Sequence, residues 1–279
     1  MAIRGIILAG GTGSRLFPLT KVCNKHLLPV YNKPMIYYPI EMLKSAGVKD
    51  ILIITGTYHA GEIFAHLGSG KDFGVKFTYR VQDEAGGIPS AISLAEDFVG
   101  DDRFISINGD NIVFESLKPF AEAFEKGSAE MQILLYKGTK EDAMKSGVAV
   151  VEGNKVVKVI EKPPEPPSNN IIVGIYFLNP SVFDVIRKLR PSKRGETEIT
   201  DVQRHYLEKG KLSAAELRGN WLDAGDFEDL LNANLETKKL AESNFPKAFS
   251  EPNGVRNSKK RNGVSKVLQQ QKRLGEKEK

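Results

Sequence analysis

A single cysteine, Cys23, stands in the 279 residues, so no disulfide can close within the chain, and that composition suits a reducing compartment. The chain also has no Cys/His cluster at metal-ligand spacing, no internal repeat and no heptad run. No apolar stretch approaches the roughly 18 residues of a membrane span. The opening MAIRGIILAGG lacks both the basic segment and the small-residue cleavage site of a leader. These absences argue against a disulfide scaffold, a zinc module and a membrane protein, and they predict a soluble, cytoplasmic protein with no membrane partner.

Acidic residues are scarce at one end only. The formal net charge is +5, but residues 240–279 hold ten Lys/Arg against four Asp/Glu, which leaves the first 239 residues at −1. The basicity therefore belongs to the tail. From Asn244 to Lys279 large apolar residues are few, which predicts disorder or loose helix. Nucleic-acid binding would rest on that tail's charge alone and is not expected of the body.

What is present is 41% hydrophobic residues, ordinary for a globular chain, in a pattern that alternates strand with helix. Ile3 to Ala9 is short, apolar and β-branched, and reads as a buried strand ending at Gly10. Helices are predicted over Ile36–Ala46, closed by Gly47, and over Tyr58–Leu67. Strands are predicted over Ile51–Thr55, Lys76–Val81 and Phe104–Ile107. The order β-loop-α-β-α-β points to an α/β, doubly wound, mainly parallel sheet, with ligands at the carboxyl ends of the strands. Further on, a helix is expected over Pro89–Phe98 and another over residues 116–126, followed by a strand at Met131–Tyr136. Gly147–Glu152 and Lys155–Glu161 around Gly153-Asn154 read as a hairpin, an antiparallel insertion in a mixed sheet. A strand at Ile171–Leu178, a helix at Val182–Leu189, a cap-rich helix start at Gly195–Asp201 and a helix over 226–240 complete the body.

Several stretches carry chemistry. From Gly10 to Gly13 the near absence of side chains lets backbone N–H groups approach an anion, although an ordinary turn has the same composition. The P-loop pattern G-x-x-x-x-G-K-[ST] fails, since Arg15 lies five residues after Gly10 and Leu16 five after Gly11. The dinucleotide pattern G-x-G-x-x-G/A matches Gly11 and Gly13 but meets Leu16 at its third position. Arg15 and Lys25 are cations placed to meet phosphates over such a loop. Gln82 offers an acceptor and two donors, as a pyrimidine edge requires, or is a solvated loop residue. Asn108-Gly109-Asp110-Asn111 is either a turn or a hard-cation ligand set. Glu161-Lys162-Pro163 can present a carboxylate and an ammonium to a sugar and its phosphate, or simply end a strand in solvent. Gly174 marks a close approach, by packing or by a ligand. Asp223 is a turn or helix-capping residue, or a second carboxylate for a cation.

The string Gly10-Gly11-x-Gly13-x-Arg15-Leu16-x-Pro18-x-Thr20, then Lys25 and Leu27-Leu28-Pro29-Val30, resembles the signature of sugar-1-phosphate nucleotidyltransferases, and Lys33 to Pro39 continues it. It looks most like the glucose-1-phosphate thymidylyltransferase branch, over residues 3 to 238 or so. The resemblance implies a nucleotide-diphospho-sugar transferase-like fold and a homo-oligomer. It makes residues 1–239 a nucleotidyltransferase domain, in which residues 1–115 bind the nucleotide and residues 116–239 the sugar, and leaves 240–279 as a tail. Its substrates would be a nucleoside triphosphate, dTTP or UTP, and glucose-1-phosphate, with Mg²⁺ as cofactor. By the same resemblance Leu8, Gly10, Gly11, Gly13, Gln82, Gly87 and Asp110 bind the nucleotide, and Gly147, Glu161, Lys162 and Val173 the sugar. Arg15, Lys25 and Lys162 act in catalysis, Asp110 and Asp223 hold the metal, and Glu198 and Thr200 are second-rank sugar contacts. A rival reading is a non-catalytic, sugar-nucleotide-binding regulatory subunit. The sequence departs from the branch at Pro89-Ser90, where Ala-Gln is usual, and at His26, where glutamine is usual; His26 lies either near the ribose or packed under the loop.

Overall fold

The computed structural model describes residues 3–153, 155–192 and 195–242. The strands are β1 (Arg4–Ala9), β2 (Pro29–Val30), β3 (Lys33–Pro34), β4 (Asp50–Gly56), β5 (Lys76–Gln82), β6 (Phe104–Asn108), β7 (Asn111–Val113), β8 (Met131–Lys137), β9 (Gly147–Glu152), β10 (Lys155–Glu161), β11 (Asn170–Leu178), β12 (Leu212–Glu216) and β13 (Trp221–Asp223). The helices are α1 (Tyr37–Ser45), α2 (Ala60–Leu67), α3 (Ile88–Ser93), α4 (Glu96–Val99), α5 (Lys118–Lys126), α6 (Lys140–Lys145), α7 (Val182–Ile186), α8 (Ile199–Glu208) and α9 (Phe227–Glu242). The stretch expected to be disordered, Asn244–Lys279, lies outside the described residues, as does Asn154 of the predicted hairpin turn. No helix among the described residues is long and apolar enough to cross a membrane.

One nine-stranded sheet runs β10-β9-β11-β6-β1-β4-β5, with β8 beside β11 and β12 beside β8. β6, β1, β4 and β5 are parallel, as the βα alternation predicts. β11 runs antiparallel to β6, β8 and β9, so the parts of the chain before and after residue 115 share a single sheet. Successive strand residues point to opposite faces and feed two cores. Ile7, Ile51, Ile53 and Ile107 pack with α1 and α5 on one face. Ile6, Leu52 and Ile54 pack with α3, α7 and α8 on the other. Covering both faces is what lets the strands be continuous apolar runs. A third, smaller core of Val30, Met35, Tyr38, Ile112, Leu222 and Ala233 seats the β7–β13 ribbon against α1, α9 and the β2–β3 hairpin.

Four expectations are corrected. The helix predicted over Pro89–Phe98 breaks into α3 and α4, because the Arg80 guanidinium takes the Leu94 carbonyl and the Asp97 carboxylate at the break. The predicted helix at Val182–Leu189 stops at Ile186. Of the cap-rich start at 195–201, residues 195–198 are a loop; Thr197 donates both its N–H and its hydroxyl to the Gly86 carbonyl, and α8 begins at Ile199, with Glu198 giving no side-chain cap. Asp223 does not cap the following helix, since Asp226 Oδ1 accepts the Asp229 N–H (3.0 Å) in that role.

Candidate active site

The glycine loop leaves the sheet at the carboxyl end of β1. A Cβ on Gly10 would lie 2.8 Å from Gln82 Oε1, so the glycine admits the glutamine amide beside the loop. Gly13 has φ +66°, and a Cβ there would meet the Thr20 side chain at 2.6 Å, while Thr20 donates to the Gly13 carbonyl (2.9 Å). Leu16 is fully buried and anchors the short 3₁₀ turn Ser14–Leu16. That anchor is why a leucine stands where a dinucleotide fold needs a small residue. Leu8 is half-buried, and its carbonyl accepts the Gly109 N–H (2.9 Å), tying the loop after β1 to the loop after β6.

Asp110 and Asp223 meet through the β7–β13 ribbon. Asp223 pairs with Asn111 in register, and Ala224 donates its N–H to the Asp110 carbonyl (3.1 Å). Lys25 Nζ lies 2.5 Å from Asp110 Oδ2, with the two side chains 10% and 15% exposed. Asn111 donates to Asp110 Oδ1 (3.1 Å), while its own Oδ1 accepts the Gly174 N–H (2.9 Å) and Trp221 Nε1–H (2.8 Å). Burial alone would raise the Asp110 carboxyl, but the Lys25 ammonium holds it well below the usual carboxylate range. Asp223 is the opposite case: burial and the adjacent Asp110 charge push its carboxyl up to about 7, and its Oδ1 is buried without a partner. No cluster of three or more His, Cys, Asp or Glu able to hold a metal occurs among the described residues. Two converging carboxylates, one with an orphaned oxygen, nonetheless suit a hard divalent cation that draws its other ligands from phosphate and water.

The raised Asp223 carboxyl carries a stability consequence. The folded chain keeps a proton there that the unfolded chain releases above about pH 4, so this group's contribution is present at low pH and is lost as pH rises toward 7. In EDTA, Asp223→Asn is expected to gain stability over wild type progressively from pH 4 to 7, read by urea unfolding at stepped pH. A difference independent of pH would contradict the shift.

Around these carboxylates lies a cleft of about 800 Å³, lined by Arg15, Asp110, Gly147, Glu161, Lys162 and Asp223 among others. A smaller recess is lined by Gly10, Gly11, Lys25 and Gln82. The Lys25–Asp110 pair joins the two, one partner facing each. Arg15 reaches across to the β13 side: a Cβ on Gly225 would come within 2.7 Å of its guanidinium, and Asp226 lies 4.0 Å from it. Lys162 is held in the left-handed region (φ +41°), with its N–H donated to the Ser146 carbonyl (3.1 Å), a strained turn that leaves its ammonium 3.9 Å from Glu161 Oε1.

Known proteins share this fold and much of this sequence. The sequence pattern of the nucleotidyl transferase family matches residues 4–240. The chain belongs to that family. It is 44% identical over 244 residues to the low-salt glycan biosynthesis nucleotidyltransferase Agl11 of Haloferax volcanii, covering 85% of this chain and 68% of that one. It is 39% identical over 235 residues to a glucose-1-phosphate thymidylyltransferase of Neisseria meningitidis, covering 83% and 81%. A Bacillus anthracis protein assigned as a glucose-1-phosphate thymidylyltransferase, crystallised with a sucrose, superposes with a TM-score of 0.81 at 48% identity, covering 85% of this chain and 96% of that one. The chain is thus a nucleotidyltransferase of the sugar-1-phosphate type.

Not every residue singled out from the sequence faces the nucleotidyltransferase's cleft. Val173 is fully buried in the core, and its neighbours Ile172 and Gly174 line the cleft instead. Gly87, at φ +89°, has a packing reason of its own, because a Cβ would fall 2.2 Å from the Thr197 carbonyl oxygen. Gly174 is explained in the same way by the Asn108 side chain, 2.4 Å from its would-be Cβ. His26 is packed under the loop rather than placed at the ribose: it is buried, donates Nδ1–H and N–H to Asn24 Oδ1 (2.8 and 2.9 Å), and lies on Gly109. Burial, helped by the Lys25 charge, pulls its pKa down to about 3, so it is a neutral spacer.

Sequence reasoning passed over Asn111, the hub that orients Asp110, and also Asp142 and Lys145 at the cleft wall. The last two sit on α6, whose Thr139-x-x-Asp142 capping box was a readable signal.

Proposed function

We propose that this nucleotidyltransferase joins dTTP or UTP to glucose-1-phosphate, giving dTDP-glucose or UDP-glucose and pyrophosphate. The observation that carries the reading is the Lys25–Asp110 pair at the junction of recess and cleft, with the orphaned Asp223 oxygen opposite. A nucleoside in the recess beside Gln82 and a sugar in the cleft beside Glu161 bring two phosphates together at that junction. A sugar-phosphate oxygen attacks the α-phosphorus, a new P–O bond forms, and the α–β bond breaks to release pyrophosphate. The loop amides and Arg15 hold the leaving pyrophosphate, Lys25 the α-phosphate and Lys162 the incoming phosphate, so catalysis is positioning and charge neutralisation. Asp110 and Asp223 would hold Mg²⁺, which supplies charge neutralisation on phosphate oxygens.

Pyrophosphate release across a grid of nucleoside triphosphates and sugar-1-phosphates tests this. Release should require both substrates, be greatest with a thymidine or uridine triphosphate and glucose-1-phosphate, and stop in EDTA. Tight binding of sugar nucleotide with no release under any pairing would identify a regulatory subunit instead.

A further inference from the structure

The buried face of α8 mixes two kinds of residue. Ile199, Val202 and Tyr206 enter the core, as an amphipathic helix requires. Thr200 and Gln203 share that face, one turn apart, and they too are buried, at 1% and 0% exposure. Neither has an internal partner for its polar atoms: Thr200 Oγ1 and both Gln203 Oε1 and Nε2 are buried and unbonded. Buried polar atoms are otherwise nearly always satisfied, so three orphans on one helical turn need a cause. Packing does not supply it, because a methionine or leucine at 203 would fill the space without stranding an amide.

Both residues line the cleft. A Cβ on Gly147 would sit 3.5 Å from Thr200 Cγ2 and 3.7 Å from Glu161 Oε2, so Thr200 and Glu161 converge on the same spot. Asn108 Oδ1, another buried orphan, and Tyr176 line the same cleft. Arg204 fixes the helix, donating Nε–H to the Val159 carbonyl (3.2 Å) on β10.

We propose that Gln203, with Thr200 beside it, is a specificity-determining residue for the sugar: its carboxamide takes two neighbouring ring hydroxyls, one as donor and one as acceptor. The inference deepens the reading of the reaction above and rests on it for the identity of the ligand. A carboxamide carries donor and acceptor about as far apart as the oxygens of a vicinal diol, and a site built to bond a hydroxyl rejects the analogue that lacks it. Gln203 thus gives up stability in the ligand-free protein for selectivity in the loaded one.

Gln203→Met keeps length and volume while removing both polar atoms. Its melting temperature without ligand should equal or exceed that of wild type. Its KM for glucose-1-phosphate should rise at least about tenfold, the worth of one to two hydrogen bonds, with the KM for the triphosphate within about twofold. Across the 2-, 3-, 4- and 6-deoxy glucose-1-phosphates, the wild-type penalty at one or two adjacent positions should vanish in the variant. Thr200→Val should shift the same KM with the same sparing of the triphosphate. An unchanged sugar KM and deoxy profile in Gln203→Met would overturn the proposal. So would a lowered melting temperature with both KM values moving together, the mark of a structural residue. If wild type releases no pyrophosphate with any sugar-1-phosphate, the reading of the reaction fails separately. Calorimetric titration of glucose-1-phosphate into wild type and Gln203→Met then decides the role of Gln203, equal affinities overturning it.

Discussion

Asp223→Asn is expected to lower kcat at least about a hundredfold at ordinary Mg²⁺, the scale of losing one contact made in the transition state. Asp110→Asn should do the same. In each case an amide of nearly equal volume replaces a carboxylate, so packing is spared and the change is in charge. Asp223 brings the sharper expectation, because its Oδ1 has no partner within the protein and is stranded until a cation or proton arrives. Asparagine at 223 relieves that isolation, so the variant should fold at least as well as wild type while losing turnover. Steady-state pyrophosphate release over a Mg²⁺ series is the measurement. Turnover near the wild-type value in either variant would overturn the proposal that these carboxylates hold a metal ion.

Lys25→Met should be the most damaging single change to both stability and activity. The ammonium is the counter-ion that keeps the largely buried Asp110 carboxylate charged, at 2.5 Å. Deleting one member of a buried pair leaves the other uncompensated, which costs roughly 3–5 kcal/mol in fully buried cases and about 3 kcal/mol at this degree of exposure. Guanidinium unfolding should show that loss without Mg²⁺, and turnover should fall at least about a hundredfold. The double variant Lys25→Met/Asp110→Asn separates the two roles. It should recover most of the stability, since no unpaired charge remains, and none of the activity. A double variant as unstable as Lys25→Met alone would mean that the lysine stem, rather than its charge, holds the loop.

The sheet was readable because its central strands are apolar runs between glycine-bearing turns, and buried parallel strands are written that way. β12 was not: Leu-Ser-Ala-Ala-Glu has little strand propensity and exists through its pairing along β8 from Leu212↔Met131 to Glu216↔Leu135. The ribbon of β7 and β13 escaped for a related reason. Three-residue strands far apart in sequence have no period to detect, so Asn-Ile-Val after the turn at Gly109-Asp110 went unread as a strand, and Trp-Leu-Asp looked like a turn. Local composition offered the glycine loop, Lys25, Asp110, Glu161 and Lys162 as candidates beside blander readings as turns or solvated strand ends, and the family resemblance chose between them. Composition also could not show that the Val173 side chain is buried in the core. It could not find Gln203, since a glutamine on an amphipathic helix reads as solvent-facing until packing shows which way the helix is turned.

The β7–β13 ribbon has a consequence for how the protein comes into being. A chain growing from its N-terminus completes the glycine loop, Lys25 and Asp110 early, yet Asp223 and the strand that carries it come almost last. Every nascent or prematurely terminated chain that lacks residues 221–223 therefore has half of a carboxylate pair, and an Ile112 with no Leu222 to cover it. Until that late strand pairs with the early one, Asp110 stands without its partner carboxylate.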